Sequence, residues 1–427
     1  MLKPRWCEVL FPVLIACLLG GSAPAGAEGL REALQAALRN HPAVAGQEAK
    51  VTAMRYAADG ARSQRYPSLS VQAQHFRQGD RSVLSDDDLS TPAALRVRQP
   101  IWAFGRINSS IATAEAGVDW ERADLLRVRR QLLEDTAVAY AEVQAGRQRI
   151  AVARRNVAQL DQLHAQIERR VEGQLASSAD ARLAAMRLRQ AQARLQQFIS
   201  EWEIARHDLV SLTRSAISAE QPVPAALLAL PESSELIDIA LEHNARMHLK
   251  RRQLGHAEAE VGQARAADMP TIFLQAERFN DQPGLRDDSQ VSVVFEASLD
   301  GMGFAARGRR GQAEANRMAA MEDLAATQLE LRRELERLQH SRELQAELIE
   351  LHSQSLGDLE SLLDSYQRQY ETGTKSWLDV LNMQRELFEQ RHQLLQAQID
   401  WQTLSLQLLA RIGGLDRLAG IRERNDG

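Results

Sequence analysis

Gln290-Val291-Ser292-Val293-Val294-Phe295-Glu296-Ala297-Ser298-Leu299 puts Val291, Val293, Phe295, Ala297 and Leu299 on one face of an extended segment and Gln290, Ser292, Glu296 and Ser298 on the other. A period of two sustained over about ten residues describes a strand with one apolar face. Three further stretches behave alike. In 68–77, Leu69, Val71 and Ala73 alternate with Ser70, Gln72 and Gln74, and in 93–102 Leu95 and Val97 alternate with Arg96 and Arg98. The polar loop 79–92 separates that pair, and a shorter loop, 281–289, separates 271–280 from 290–299. Such strands fit the wall of an outer-membrane barrel, and equally a half-buried hairpin of a soluble domain. Tyr66 and Trp102 stand at strand ends, where an interfacial aromatic girdle belongs. Four strands cannot close a lipid-facing barrel, because open edges leave backbone groups unsatisfied in hydrocarbon. If they span a membrane, copies must pool them: two chains give eight strands and three give twelve, and the sequence does not choose.

The rest of the chain is helical in composition and written twice. With a shift of 203, Leu34, Ala37, Leu38, Pro67, Gln72, Ala73 and Phe76 fall on Ile237, Ala240, Leu241, Pro270, Gln275, Ala276 and Phe279. With a shift of 199, Asp180, Leu188, Leu195, Trp202 and Leu209 fall on Asp379, Leu387, Leu394, Trp401 and Leu408. A period this long is too large for a solenoid and reads as duplication of a whole αββαα module. Proline is absent from 101–221 and from 284–427, runs rich in good helix formers. Residues 105–170 and 305–371 each suffice for one helix of roughly 100 Å, a length that belongs to coiled coils or helical tubes. Leu188, Leu195, Trp202 and Leu209 recur every seven residues, and Leu356, Leu359, Leu363, Tyr366 and Tyr370 alternate three and four. A 3.5-residue stripe packs helix on helix, knobs into holes.

Composition narrows the function classes. The 427 residues carry 26% charge, 5% aromatics and a net charge of −5, which gives no reason to expect nucleic acid. Lys3 and Arg5, the apolar run 9–19 and Ala25-Gly26-Ala27 form a targeting segment, 1–27, with a mature start at Glu28. Both cysteines, Cys7 and Cys17, lie inside it, so a chain starting at Glu28 has no thiol chemistry or disulfides. A second reading is open at Leu14-Ile15-Ala16-Cys17, which loosely resembles a lipobox with Cys17 acylated. Beyond the targeting segment the expected organisation is a first repeat at 28–215, a linker at 216–233, a second repeat at 234–415 and a tail at 416–427. The run Asp86-Asp87-Asp88 reads as a solvated loop, and His243, His248 and His256 lack convincing metal spacing. Trp202 and Trp401 read as seam residues rather than a ligand cage. No P-loop, nucleophile elbow or paired-carboxylate motif is present, so neither an enzyme nor a bound cofactor is expected.

Three stretches carry a family resemblance: 30–34 with 37–42, Gln99-Pro100-Ile101-Trp102, and Tyr370-Glu371-Thr372-Gly373-Thr374-Lys375-Ser376-Trp377-Leu378-Asp379-Val380-Leu381-Asn382. With the duplicated layout they resemble the TolC family of outer-membrane channel-tunnels over nearly the whole mature chain. The resemblance implies a homotrimer in the outer membrane of a Gram-negative bacterium, a mainly α fold with a small β part, and four strands per chain in a 12-stranded barrel. It also implies a long periplasmic α-barrel whose closed tip opens on contact with a periplasmic adaptor and an inner-membrane ABC exporter or proton-driven pump. The tip turns are expected near 173–180 and 373–379, marked by Gly173 and Gly373. By the same resemblance Tyr370 and Lys375 bond to Asp180 as a latch. Lys in place of the family's Arg loses a bidentate fork. Asp379 and Asn382 match the two acidic constriction positions, and Asn382 departs from the pattern and removes one charge ring. Read on its own, Asp180 or Asp379 is a favourable first-turn helix residue.

The expected function is a passive exit duct for type I secretion of a protein such as a large adhesin, because 375–380 looks closest to such components. The alternatives are a multidrug efflux duct of the same fold and, from another class, a poreless periplasmic coiled-coil adaptor, which has no need of four alternating strands.

Overall fold

The computed structural model describes residues 28–73, 93–280, 288–298 and 300–421. The targeting segment with Cys7 and Cys17, positions 74–77, the Asp86–Asp88 run, the loop 281–287, Leu299 and the tail 422–427 lie outside the described residues.

The first copy comprises α1 (Glu28–Asn40), α2 (Pro42–Ser63), β1 (Ser68–Ala73), β2 (Ala93–Trp102), α3 (Arg106–Glu172) and α4 (Ser178–Thr213). After a one-turn helix, α5 (Ala225–Leu228), the second copy repeats the order with α6 (Ser233–His243), α7 (Ala245–Ala266), β3 (Thr271–Asn280), β4 (Asp288–Glu296), α8 (Phe304–Glu371) and α9 (Trp377–Arg411), and α10 (Asp416–Ala419) follows. The leading helix of each copy is split in two. Pro42 starts α2 at a position where its missing N–H costs nothing, and His41 caps it by accepting from Ala43 N–H. In the second copy Asn244 makes the break: its Oδ1 accepts from Arg246 N–H while its Nδ2 donates to the Arg411 carbonyl.

The 67-residue α3 and 68-residue α8 are the two struts. Helix α3 packs against α2 and α4, α8 packs against α7 and α9, and α3 also meets α7 and α9, which joins the copies side by side. The heptad stripes lie in these seams. Leu160, Leu163 and Ile167 of α3 bury against Ala184, Leu188 and Ala191 of α4, and Leu363 of α8 buries against Val380 and Leu387 of α9 with Tyr366 and Tyr370 beside them. Gly146 admits Trp202: a Cβ there would lie 3.0 Å from Trp202 Cβ and 3.3 Å from its Cα.

Midway along the struts sits the largest core, where α1, α3, α4, α9 and the chain after α4 bury Leu30, Leu34, Tyr140, Leu209, Leu406 and Leu415. Two arginines, Arg130 and Arg411, tie the C-terminal end into it through ion pairs. Arg130 holds Asp416 Oδ2 through Nε at 3.0 Å and Nη2 at 2.7 Å, both side chains being 7% exposed. Arg411 bridges Glu134 and Glu334.

The strands form one antiparallel sheet in the order β1-β2-β3-β4. The fourth strand runs Asp288–Glu296 rather than 290–299. Its ladder ends where Glu296 pairs with Thr271, the first residue of β3, so Ala297 and Ser298 pair with no strand among the described residues.

Candidate functional site

Register fixes two faces of the sheet. One row reads Leu69–Val97–Ala276–Val291 and the next reads Gln99–Leu274–Val293, with Phe295 on the same side, and toward the loop end the row Val71–Leu95–Arg278–Ser289 turns polar. The other face carries Ser70–Arg96–Glu277–Gln290 and Ser68–Arg98–Gln275–Ser292. Val71, Val291, Val293 and Phe295 are all more than 60% exposed in the single chain. A contiguous apolar surface of this kind needs a partner or a membrane. The opposite face is knitted by ion pairs: Arg96 with Glu277, and Arg98 with Glu296 at 2.6 Å, Arg98 lying 4.4 Å above the Phe273 ring. Strands of nine and ten residues, tilted, cover an apolar band about 25 Å tall. Apolar outside and polar, charge-paired inside is the pattern of a wall between lipid and water.

At the far end of the struts, two turns have the same build. In the first, Leu175 N–H donates to the Arg170 carbonyl and Gln174 N–H to the Val171 carbonyl, and in the second Thr374 N–H donates to Gln369 and Gly373 N–H to Tyr370. Both are Schellman closures, with one residue in the left-handed region. That residue is Gly373 in the second copy (φ 76°) and Gln174 in the first (φ 58°). Gly173, expected to mark the first turn, is its C-cap at φ −79°, a conformation open to any residue. Each return helix then starts on a capping box. Ser177 Oγ accepts from Asp180 N–H while the Asp180 carboxylate accepts from Ser177 N–H and Oγ–H, and Ser376 and Asp379 repeat the arrangement. These bonds hold both carboxyls below the usual range, with a smaller contribution from the Trp377 indole at Asp180 and from the Lys375 charge at Asp379.

The structure does not pair Asp180 with Tyr370 or Lys375 within the chain. Instead the Arg170 guanidinium lies 4.7 Å over the Tyr370 ring and the Lys375 ammonium 4.4 Å over the Tyr366 ring. Between α3 and the α8/α9 pair opens a cleft of about 570 Å³, whose walls include Gln162, Gln166, Arg170, Gln367, Tyr370 and Gln384. Gln384 is buried, and its Oε1 has no hydrogen-bond partner among the described residues. Asn382 lines a separate groove with Arg187, Arg194 and Arg385. Sequence reasoning missed Gln174, Arg170 and Trp377. The available signal was spacing: Arg170 lies one turn before Gly173, and Tyr366 and Tyr370 share a helix face beside the basic turn. Among the described residues no group of three or more metal-ligating side chains converges, and no helix is long and apolar enough to cross a membrane.

The family model for outer membrane efflux protein matches residues 33–213 and 236–414. The chain belongs to the outer membrane efflux protein family. Two relatives from Pseudomonas putida, the solvent efflux pump outer membrane protein SrpC and the toluene efflux pump outer membrane protein TtgI, are each 26% identical, the match covering 83% of this chain and 78% of theirs. Among solved structures, CusC superposes with a TM-score of 0.80 at 18% identity over 90% of this chain and 92% of that one. VceC from Vibrio cholerae gives 0.78 at 19% identity over 90% and 96%. The fold is therefore that of the outer-membrane channel-tunnels, passive ducts rather than enzymes, and the chain is an outer-membrane protein. The relatives carry efflux names, which favours efflux over the type I secretion expected from 375–380. Within that segment Ser376 and Asp379 are the capping box that begins α9, a role independent of what passes through the duct.

Proposed function

We propose that the chain is the outer-membrane exit duct of a tripartite efflux system for small apolar or amphiphilic compounds, solvents among them. The two-faced sheet carries this reading: an apolar outer side fit for lipid and an ion-paired inner side fit for a water-filled lumen, on a four-stranded sheet with two free edges. Three copies, joined β1 to β4, give the twelve-stranded barrel of the homotrimer, and the struts extend into the periplasm to meet an adaptor and an inner-membrane pump. Deleting the gene is expected to lower tolerance to toluene and to amphiphilic drugs while leaving protein secretion intact. Lost secretion with unchanged tolerance reverses the assignment to type I export.

The duct is gated at its tip. The α3/α4 and α8/α9 pairs are each sealed by leucines, whereas the contact between the pairs sets a polar cleft, which leaves Gln384 unsatisfied, beside a small apolar patch where Leu381 and Trp377 meet the α3/α4 core. Motion belongs to this contact, because at the tip it parts Leu381 and Trp377 from the α3/α4 core, fewer apolar groups than parting α3 from α4 would expose. Arg170 on Tyr370 spans that contact as a bolt, with Asp180, Trp377 and Lys375 in support, and Asp379 supplies one acidic ring where Asn382 supplies none. Single-channel conductance separates this bolt from a Tyr370–Asp180 hydrogen bond. Tyr370→Phe keeps the ring and is expected to stay closed, while Tyr370→Leu and Arg170→Gln raise conductance. Opening by Tyr370→Phe restores the hydrogen-bond latch.

A further inference from the structure

The chain leaves β2 and β4 through the same strained elbow. Phe104 (φ 47°) and Gly105 (φ 88°) precede α3, and Met302 (φ 54°) and Gly303 (φ 89°) precede α8. Glycine takes the left-handed region freely, but a bulky side chain does so at a cost. Each elbow turns large apolar groups outward, Trp102 and Phe104 in the first copy and Met302 and Phe304 in the second. A register shift between Pro100 and Trp102 sets Trp102 opposite Ile272, which in turn faces Phe295. Strict alternation from Leu95 would have put Ile101 there. The irregularity thus adds Trp102 to the lipid-facing row, as bulges do when they re-aim a side chain.

The first elbow also encloses a pocket of about 280 Å³, walled by Ile101, Trp102, Phe104 and Ile107 and bounded on its polar side by Arg65 and Asn108. Trp102 and Phe104 meet edge to face at 6.1 Å. Arg65 is pinned there: its guanidinium donates to Asn108 Oδ1 at 3.0 Å, and its carbonyl accepts from Gln99 Nε2 at 2.8 Å. Arg106, exposed on the next turn, makes no ion pair among the described residues. We propose that this pocket holds an anionic phospholipid of the periplasmic leaflet, with an acyl chain against Trp102, Phe104 and Ile107 and the phosphate between Arg65 and Arg106. The occupant follows from continuity and charge. The pocket prolongs the lipid-facing row of the sheet at the end where the helices begin, and its polar side offers the Arg65 guanidinium, with Arg106 exposed between the lining residues Gly105 and Ile107; guanidinium groups match phosphate bidentately.

The inference rests on the sheet being in the membrane, and the test separates the two. Full-length protein is reconstituted into phosphatidylcholine vesicles containing a low, fixed fraction of either dibrominated phosphatidylglycerol or dibrominated phosphatidylcholine, and Trp102 is read as the emission lost in Trp102→Phe. The brominated phosphatidylglycerol is expected to quench Trp102 several-fold more strongly, and Arg65→Gln with Arg106→Gln is expected to abolish the preference in oligomers that still resist heat. Equal quenching by the two lipids overturns the site while leaving the sheet in the bilayer. Quenching by neither overturns the membrane placement as well. Should the double variant fail to assemble, native mass spectrometry of the unaltered protein from mixed lipid decides: retained phosphatidylglycerol supports the site, and indiscriminate retention, or a pocket closed by a second copy with no lipid, overturns it.

Discussion

Gln174 and Gly373 occupy equivalent positions in the two tip turns, and both are left-handed. Glycine takes that backbone freely and glutamine only at a cost, so the two turns respond to substitution in opposite directions. Gln174→Gly should stabilise the tip and Gly373→Ala should destabilise it, each by about 1 kcal/mol, read as shifts in the unfolding midpoint of the solubilised protein. The contrast explains why one turn was legible in the sequence and the other was placed one residue early. A glycine advertises left-handed backbone, but the first turn is specified by its hydrogen bonds to Arg170 and Val171, which no residue type announces. The caps add a pH signature. Asp180 and Asp379 have depressed carboxyl pKa values in the fold, so their support is complete above the ordinary carboxylate value and is lost as pH falls through the folded one. Hydrogen exchange at the first turns of α4 and α9 should be steady at neutral pH and speed up, after correction for intrinsic rate, below about pH 4.

Element by element, periodicity did most of the reading. A seven-residue recurrence of leucine calls for a helix partner: Leu188 and Leu387 are buried in the seams of α3 with α4 and of α8 with α9, and Leu209 and Leu408 in the cores farther along the same helices. The waist of the molecule was not legible, because its contacts join positions with no shared period: Arg130 and Asp416 lie 286 residues apart. They matter energetically all the same. Asp416→Ala leaves a buried guanidinium without its carboxylate and should cost about 3–5 kcal/mol, whereas replacing the pair together with Arg130→Met and Asp416→Leu should recover most of the loss. Chemical denaturation of the two variants checks this, and equal losses would mean that the pair is not coupled. Gly146 is a second waist feature with no periodic signal. Gly146→Ala drives a methyl toward the Trp202 backbone, so α3 and α4 must part, at about 1–3 kcal/mol in the same assay.

For the whole molecule, the need to assemble was legible from counting strand edges, but the number of copies was not, since β1 and β4 carry no mark of the angle at which a second chain adds. The orientation of the wall is open to test with two neighbouring residues. Val293 stands in the row of Gln99 and Leu274 on the apolar face, and Ser292 stands in the row of Arg98 and Gln275 on the ion-paired face. Arginine at Val293 would sit in hydrocarbon at about 2–4 kcal/mol if near the midplane, and every copy in the assembly repeats that cost. Arginine at Ser292 would join Arg96 and Arg98 on the ion-paired face, beside the carboxylates of Glu277 and Glu296, which the proposed barrel turns toward water. Val293→Arg should therefore abolish the heat-resistant oligomer recovered from outer membranes, while Ser292→Arg should assemble normally and shift ion selectivity toward anions. The parity of the strand makes this a sharp contrast, because the two side chains are adjacent in sequence and differ only in the face they occupy. The opposite pattern, assembly of Val293→Arg and failure of Ser292→Arg, would turn the sheet inside out and remove the lipid-facing row on which both the duct and the phospholipid pocket depend.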